Sequence, residues 1–275
     1  MTKFPEGLVL LVVALAVHGQ AVGPPRVDIA PPPSARFPAS WYPPDNSVSY
    51  TEAPQTGAPY LATLVTTFRF VNPETGKMEA ISRSTTQARD AAGRERDEVV
   101  TPRSDSRGKV VMVREVSVND PVTHCSFQWA EPWAAPGQPT AIVTCMPRTV
   151  NFINRNAYAD SIVTEEKEIR SPTTVDRFKP LGKQTFGDLE AVGTRHTKTV
   201  TNSQTGGKEE LIIETWYSPD LKELLVMKEI PDPESNEKIG QIPDFELTDI
   251  HRVEPNAALF YPPDGYQIKS ANSQR

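Results

Sequence analysis

The sequence predicts a mainly β protein, built as a curved antiparallel sheet or an open half-barrel with few or short helices. Runs of Val, Ile, Thr and aromatic residues recur from residue 60 to residue 269, and helical periodicity is scarce there. Most runs end at a turn signal, such as Asn72–Gly76 or Asp90–Gly93. Polar residues often recur at every second position, as at Arg195, Thr197 and Thr199, which a sheet with one wet face would produce.

The predicted strands are short, evenly spaced and mostly joined by hairpin turns, which favours an antiparallel sheet or barrel. In order, they cover residues 61–71, 78–89, 94–100, 110–118, 124–129, 140–146, 149–153, 162–169, 184–186, 189–201, 209–217, 223–230 and 245–253.

The N-terminus has the order of a secretory signal peptide: a positive charge at Lys3, an apolar run over residues 8–17, and the small residues Gly19 and Ala21. A ten-residue helix would be about 15 Å long, whereas the hydrocarbon core of a bilayer is roughly 30 Å thick. The apolar run therefore fits a signal peptide better than a membrane anchor. We therefore expect residues 1–21 to be removed, leaving no transmembrane segment and a periplasmic or secreted protein.

Residues 22–59 contain ten prolines, a composition that opposes regular hydrogen-bond ladders and favours extended chain. We predict a disordered linker there, with a proline-rich recognition segment around residues 41–44 as the alternative. Residues 60–269 are expected to form a single domain, followed by a disordered tail over residues 270–275.

The two cysteines predict a disulfide and a strand register, because an exported protein enters an oxidising compartment. If Cys125 and Cys145 lie opposite each other on neighbouring antiparallel strands, Phe127 faces Val143 and Trp129 faces Ala141. All six side chains then share one face of the sheet.

Charge and motifs exclude several functions. The formal net charge of −6 gives no basic footprint for nucleic acid, and it also argues weakly against an anionic membrane surface. His124, His196 and His251 lie far apart, and no metal-ligand spacing, nucleophile elbow or phosphate loop is present. We therefore predict no cofactor, no metal and no catalytic residue, although paired carboxylates brought together from distant sequence stay open.

Aromatic residues are the remaining candidates for a binding site. Trp129 and Trp133 bracket the start of a proline-rich loop, and both are predicted ligand-binding residues. Core packing also explains Trp129, whereas Trp133 is the one expected at an exposed loop tip.

Residues 59–269 resemble a widespread family of uncharacterised exported bacterial β-rich proteins, most clearly in the C-terminal third. The resemblance rests on residues 181–187 (LGKQTFG), 189–195 (LEAVGTR), 214–222 (ETWYSPDLK), 247–255 (LTDIHRVEP) and 262–268 (PPDGYQI). That family is distantly similar to the open half-barrels of periplasmic lipoprotein carriers, in which a curved antiparallel sheet holds acyl chains. The resemblance implies a fold and a ligand class, and it carries no catalytic residues.

Together these features predict a non-enzymatic exported envelope protein that binds an apolar or lipidic ligand, or a partner such as a lipoprotein or another envelope protein, on its sheet. Two alternatives remain at this point: a structural or interaction domain without a cavity, and a hydrolase with dispersed carboxylates.

Overall fold

The structure is a computed structural model that describes residues 49–52, 54–105, 107–131, 137–146, 150–153, 162–201, 203–230 and 242–271. For residues 49–52 and 150–153 it describes the backbone alone. The predicted signal peptide, most of the predicted linker and Trp133 lie outside the described residues.

Fifteen strands are described. They are Ser49–Glu52 (β1), Tyr60–Val71 (β2), Met78–Arg89 (β3), Glu95–Ser104 (β4), Val110–Asp120 (β5), Cys125–Glu131 (β6), Thr140–Cys145 (β7), Val150–Ile153 (β8), Lys167–Arg170 (β9), Thr174–Phe186 (β10), Leu189–Thr201 (β11), Lys208–Ser218 (β12), Glu223–Ile230 (β13), Asp244–His251 (β14) and Gln267–Ser270 (β15). A single turn of 3-10 helix, Ala257–Phe260, precedes β15.

The mainly β prediction is confirmed. Thirteen strands form one open sheet in the order β15-β7-β6-β5-β4-β3-β2-β14-β13-β12-β11-β10-β9, and this sheet does not close into a barrel. Its neighbours are antiparallel except for β15, which runs parallel to β7. Within the described residues, no helix has the length and apolar character that a membrane span requires.

The cysteine register is also confirmed. Cys125 and Cys145 form a disulfide with Cα atoms 4.0 Å apart, and Phe127 lies opposite Val143 as expected. The ladder between β6 and β7 ends at Gln128 opposite Ile142. Trp129 and Ala141 nevertheless lie in the same buried cluster as the disulfide, on the predicted face.

Two hydrophobic clusters hold the sheet. One surrounds the disulfide on β5, β6 and β7 and is covered by the C-terminal segment, in which Phe260 is fully buried. The other gathers around Tyr60 at the start of β2 and includes Leu189, Leu221, Leu225 and Leu247.

The predicted linker boundary at residue 59 needs correction. Ser49–Glu52 pairs in parallel with Val150–Ile153, the carbonyl of Thr56 accepts a hydrogen bond from Lys222 Nζ at 2.9 Å, and Ala58 is buried. The chain just before β2 therefore belongs to the folded unit, because its backbone groups find partners there. The predicted disordered tail is likewise shorter, since Ser270 is a buried residue of β15.

Pairing between β3 and β4 is limited to one end of both strands. Only Thr86–Arg89 and Glu95–Glu98 face each other, whereas β2 pairs with all of β3 and β4 pairs with β5 along its full length. The sheet therefore splits between these two hairpins towards their turns, and the groove described below lies at this split.

Candidate functional site

A row of directly opposite side chains crosses five neighbouring strands. Gln87 faces Asp97, Asp97 faces Ser117, Ser117 faces Gln128, and Gln128 faces Ile142. Because opposite residues of antiparallel strands point to the same face, this row lies on the side of the sheet away from the disulfide.

The next rows on this face are more apolar. Val99 faces Glu115, and Glu115 faces Ala130, while Val113 lies one row further along and is 1% exposed. These rows line a groove of about 610 Å³, within the range of about 300–1,000 Å³ that is usual for small-molecule sites. More of its accessible lining is apolar than polar.

The groove has charged groups on its rim, and most of them are already paired. Gln87 Nε2 donates to Asp97 Oδ1 at 2.8 Å, and Arg103 Nε donates to Glu115 Oε1 at 2.6 Å. Arg83 also lines the groove, and its side chain makes no ion pair with the described residues. The groove therefore offers one available guanidinium beside an apolar floor.

Trp129, a predicted binding residue, lies in the core. It is among the residues that line the groove, but its side chain is only 6% exposed. Its Nε1 donates to Glu131 Oε1 at 2.7 Å, and the Arg96 guanidinium lies 5.5 Å from the ring centroid. Buried Trp side chains usually find such a partner for the indole N–H, and here the partner comes from the same strand.

The C-terminal segment covers the opposite face of these strands. Tyr266 Oη donates to the carbonyl of Ala130 at 2.7 Å, and Tyr261 packs edge-on against Phe127. The groove therefore lies on the face of β3–β7 opposite this covering layer.

His124, His196 and His251 lie on three separate elements of the fold. His196 Nε2 lies 2.8 Å from Asp176 Oδ1 and its ring stacks on Phe178, His124 lies in the turn before β6, and His251 ends β14. No group of three potential metal ligands occurs among the described residues.

A second depression, of about 420 Å³, lies over β9, β10 and β11 and is lined mainly by charged side chains. Its carboxylates are engaged in ion pairs: Glu168 accepts from Arg177 Nε at 2.7 Å and from Arg170, and Glu166 lies 3.9 Å from Lys179 Nζ. Hydrogen bonds from Arg177 and Arg170 hold the pKa of Glu168 below its usual range. This is the arrangement of a solvated, charged sheet edge, which discourages edge-to-edge pairing.

Carboxyl groups with raised pKa values lie outside the groove. Desolvation raises the pKa of Glu223, and it raises the pKa of Glu95 although part of that side chain stays exposed. Both lie beside Arg89, at the opposite end of β3 from the split. Neither lines the groove.

Sequence reasoning missed the groove residues, because no single strand marks them. The groove is lined from four different strands by Arg83, Asp97, Gln128 and Ile142. These residues come together only because each strand from β3 to β7 pairs with the next in one particular register. The alternation of apolar and polar residues within each strand can be read from the sequence, but the sequence does not show which strands are neighbours in the sheet. In comparison with known proteins, no family model matches the chain, and no curated protein matches it.

Proposed function

We propose that this is a non-enzymatic, exported cell-envelope protein that binds an apolar or lipidic ligand in the groove on β3–β7. The observation that carries the proposal is the groove itself: a volume of about 610 Å³ on the face of the sheet opposite the disulfide, with more apolar than polar lining. Apolar grooves with a few polar groups on the rim are the usual form of small-ligand sites.

The charges favour an amphiphile with an anionic head group. Val99, Ala130 and Ile142 supply apolar surface for a hydrocarbon chain, and Arg83 supplies a guanidinium without an ion pair among the described residues. A carboxylate or phosphate on the ligand would accept charge-assisted hydrogen bonds from that guanidinium. Glu115 is ion-paired with Arg103 and adds little repulsion, whereas Asp97 keeps its negative charge because its partner, the Gln87 amide, is neutral.

A fluorescent fatty-acid analogue titrated into the full chain tests this proposal. Ile142→Glu places a charge in the apolar floor and should weaken probe binding on the order of tenfold or more. Ala130→Trp fills the groove without adding charge and should weaken it similarly. Val122→Glu is the matched control, because Val122 is 61% exposed in the β5–β6 turn, outside the groove.

The proposal stands if both groove variants lose affinity, the control keeps it, and all three retain the β-sheet circular dichroism of the parent protein. Equal affinity in all four proteins would contradict it and would place the probe elsewhere. No binding to the parent protein would instead favour a structural or interaction domain without a ligand.

A further inference from the structure

Two hairpins extend beyond the sheet as two-stranded ribbons. The first ribbon is residues 68–81, since β2 pairs with β14 only as far as Thr67. The second is residues 99–113, since β5 pairs with β6 only from Arg114 onwards. In these stretches, the strands of each hairpin pair only with each other among the described residues. Ribbons of two strands gain little stability in water unless an apolar face is covered.

These ribbons carry most of the exposed large apolar side chains. Eight of the thirteen in the described part of the chain belong to them: Phe68, Phe70, Val71, Met78 and Ile81 on the first ribbon, and Val100, Val110 and Met112 on the second. Ile81, Val110 and Met112 are 60%, 62% and 57% exposed. Such a concentration at one end of a sheet marks an interaction surface.

On the first ribbon, the apolar side chains occupy both faces. Phe68 lies opposite Ile81 on one face, and Val71 lies opposite Met78 on the other, because neighbouring positions alternate. A flat protein partner would cover one face of such a ribbon. A medium that surrounds the ribbon covers both, as the interfacial region of a lipid bilayer does.

Charge is distributed unevenly along the chain. Residues 99–113 contain three basic residues, Arg103, Arg107 and Lys109, and one acidic residue, Asp105, so their net charge is +2. Because the whole chain has a net charge of −6, the remaining residues together carry −8. Arg103 pairs with Glu115, whereas Arg107 and Lys109 make no ion pair with the described residues. The second ribbon is therefore a basic element on an acidic protein, and it complements an anionic surface that the rest of the chain would repel.

We propose that the two ribbons dock the protein on an anionic lipid bilayer, with their apolar side chains in the headgroup region and Arg107 and Lys109 against lipid phosphates. Phe68 to Val71 spans three strand steps, about 10 Å, which matches the depth of about 5–10 Å that interfacial elements reach. Basic residues near the surface increase the affinity for anionic membranes. The second ribbon also contributes Val99, Arg103 and Val113 to the groove lining, but its exposed apolar side chains and the cations Arg107 and Lys109 lie outside that lining, and the docking does not depend on a bound ligand.

Quenching by brominated lipids tests the contact at the ribbons themselves. Met112→Trp and Phe70→Trp each place an indole on one ribbon, and Val122→Trp is the matched control in the β5–β6 turn at the other end of β5. The full-length variants are mixed with vesicles of phosphatidylcholine containing about a third phosphatidylglycerol, with bromine on the upper acyl carbons. The native tryptophans give the same background in every protein.

Docking predicts that both ribbon indoles are quenched well beyond this background and that the Val122→Trp indole is not. Adding Arg107→Glu and Lys109→Glu to Met112→Trp should lower binding to these vesicles at least tenfold and leave the weak binding to pure phosphatidylcholine vesicles unchanged.

Equal quenching at all three positions, no quenching at the ribbons, or indifference to the charge reversal would each overturn the proposal. Ribbon indoles that respond only to added envelope proteins would assign the surface to a protein partner instead. None of these readouts changes if the groove binds no fatty acid, so the two proposals fail separately.

Discussion

The Arg89 guanidinium lies 2.9 Å from the Glu223 carboxylate, although 134 residues separate the two in sequence, and no part of the Arg89 side chain is exposed. Arg89 Nε also donates to the carbonyl of Ala58 at 3.2 Å, and its remaining nitrogen donates to the carbonyl of Leu221. The ring of Tyr60 lies 4.7 Å below the guanidinium. One side chain thus joins the chain before β2, the end of β3 and the β12–β13 turn.

Arg89→Met should therefore lower the free energy of unfolding by about 3–5 kcal/mol. The reason is that removing one partner of a buried ion pair leaves the other charge, and here two carbonyl groups, without compensation. Urea unfolding followed by circular dichroism measures the change.

The control for this prediction is Arg170→Met, which removes a guanidinium of the same size at an exposed position, 68% accessible, on β9. Exposed ion pairs contribute about 0–1 kcal/mol, so this variant should stay close to the parent protein. Similar losses in the two variants would mean that Arg89 is no more important than a surface cation.

Glu223 should make stability depend on pH. Desolvation raises its folded-state pKa above the ordinary value of 4.5, and the Arg89 guanidinium opposes this shift only in part. The contribution of a group with a raised folded-state pKa is fully present below the unfolded-state pKa and is lost as the pH rises through the folded-state pKa.

Glu223→Gln removes this titration and keeps an oxygen that accepts from Arg89. We expect the unfolding free energy of the variant, relative to that of the parent protein, to increase between about pH 4 and pH 7. Urea titrations of both proteins across this range measure the difference. A difference that is constant with pH, or that decreases, would contradict the shift.

The fold class and the disulfide were predictable because they rest on local or short-range features. Alternation and turn residues mark most strands, and two cysteines joined by a short connection fix one register between β6 and β7.

Features that depend on distant partners were not predictable. The parallel pairs of β1 with β8 and β15 with β7 join short segments far apart in sequence. Most of β10 was missed because Pro180 and Gly182 interrupt its pattern, and the structure accommodates them at a register shift. The split between β3 and β4 has one local signal, Pro102, since a proline within a strand is tolerated mainly at a sheet edge, but β3 keeps a strand-like sequence where the pairing stops.

Gly193 is required by a close approach of side chains. A Cβ atom at this position would lie 2.7 Å from Trp216 Cζ3 and 2.9 Å from Leu181 Cβ. We expect Gly193→Ala to lower the free energy of unfolding by about 1–3 kcal/mol, because Trp216 also packs against Phe186 and cannot move away freely.

Gly207→Ala is the control for Gly193, because its nearest neighbour would be the hydroxyl of the exposed Thr205, at 3.2 Å. It should change the unfolding free energy by no more than about 0.5 kcal/mol. If Trp216→Leu in the Gly193→Ala background restored no stability, the close contact with the indole would not be the cause.

Two N-terminal deletions should test which part of the predicted linker stabilises the folded unit. The sequence predicts extended chain for residues 22–46, so their deletion should leave the thermal midpoint unchanged.

A deletion of residues 22–56 also removes the backbone pairing of β1 with β8 and the carbonyl of Thr56 that accepts from Lys222 Nζ. It further removes Pro54, which lies next to Gly93 in the β3–β4 turn. If these contacts together contribute about 2 kcal/mol to the free energy of unfolding, their loss should lower the thermal midpoint by about 4–8 °C in a domain of this size. Differential scanning calorimetry of the two deletions and the parent protein measures this. Equal midpoints in all three would show that residues 49–56 add no stability, and an equal fall in both deletions would show that residues 22–46 pack on the sheet.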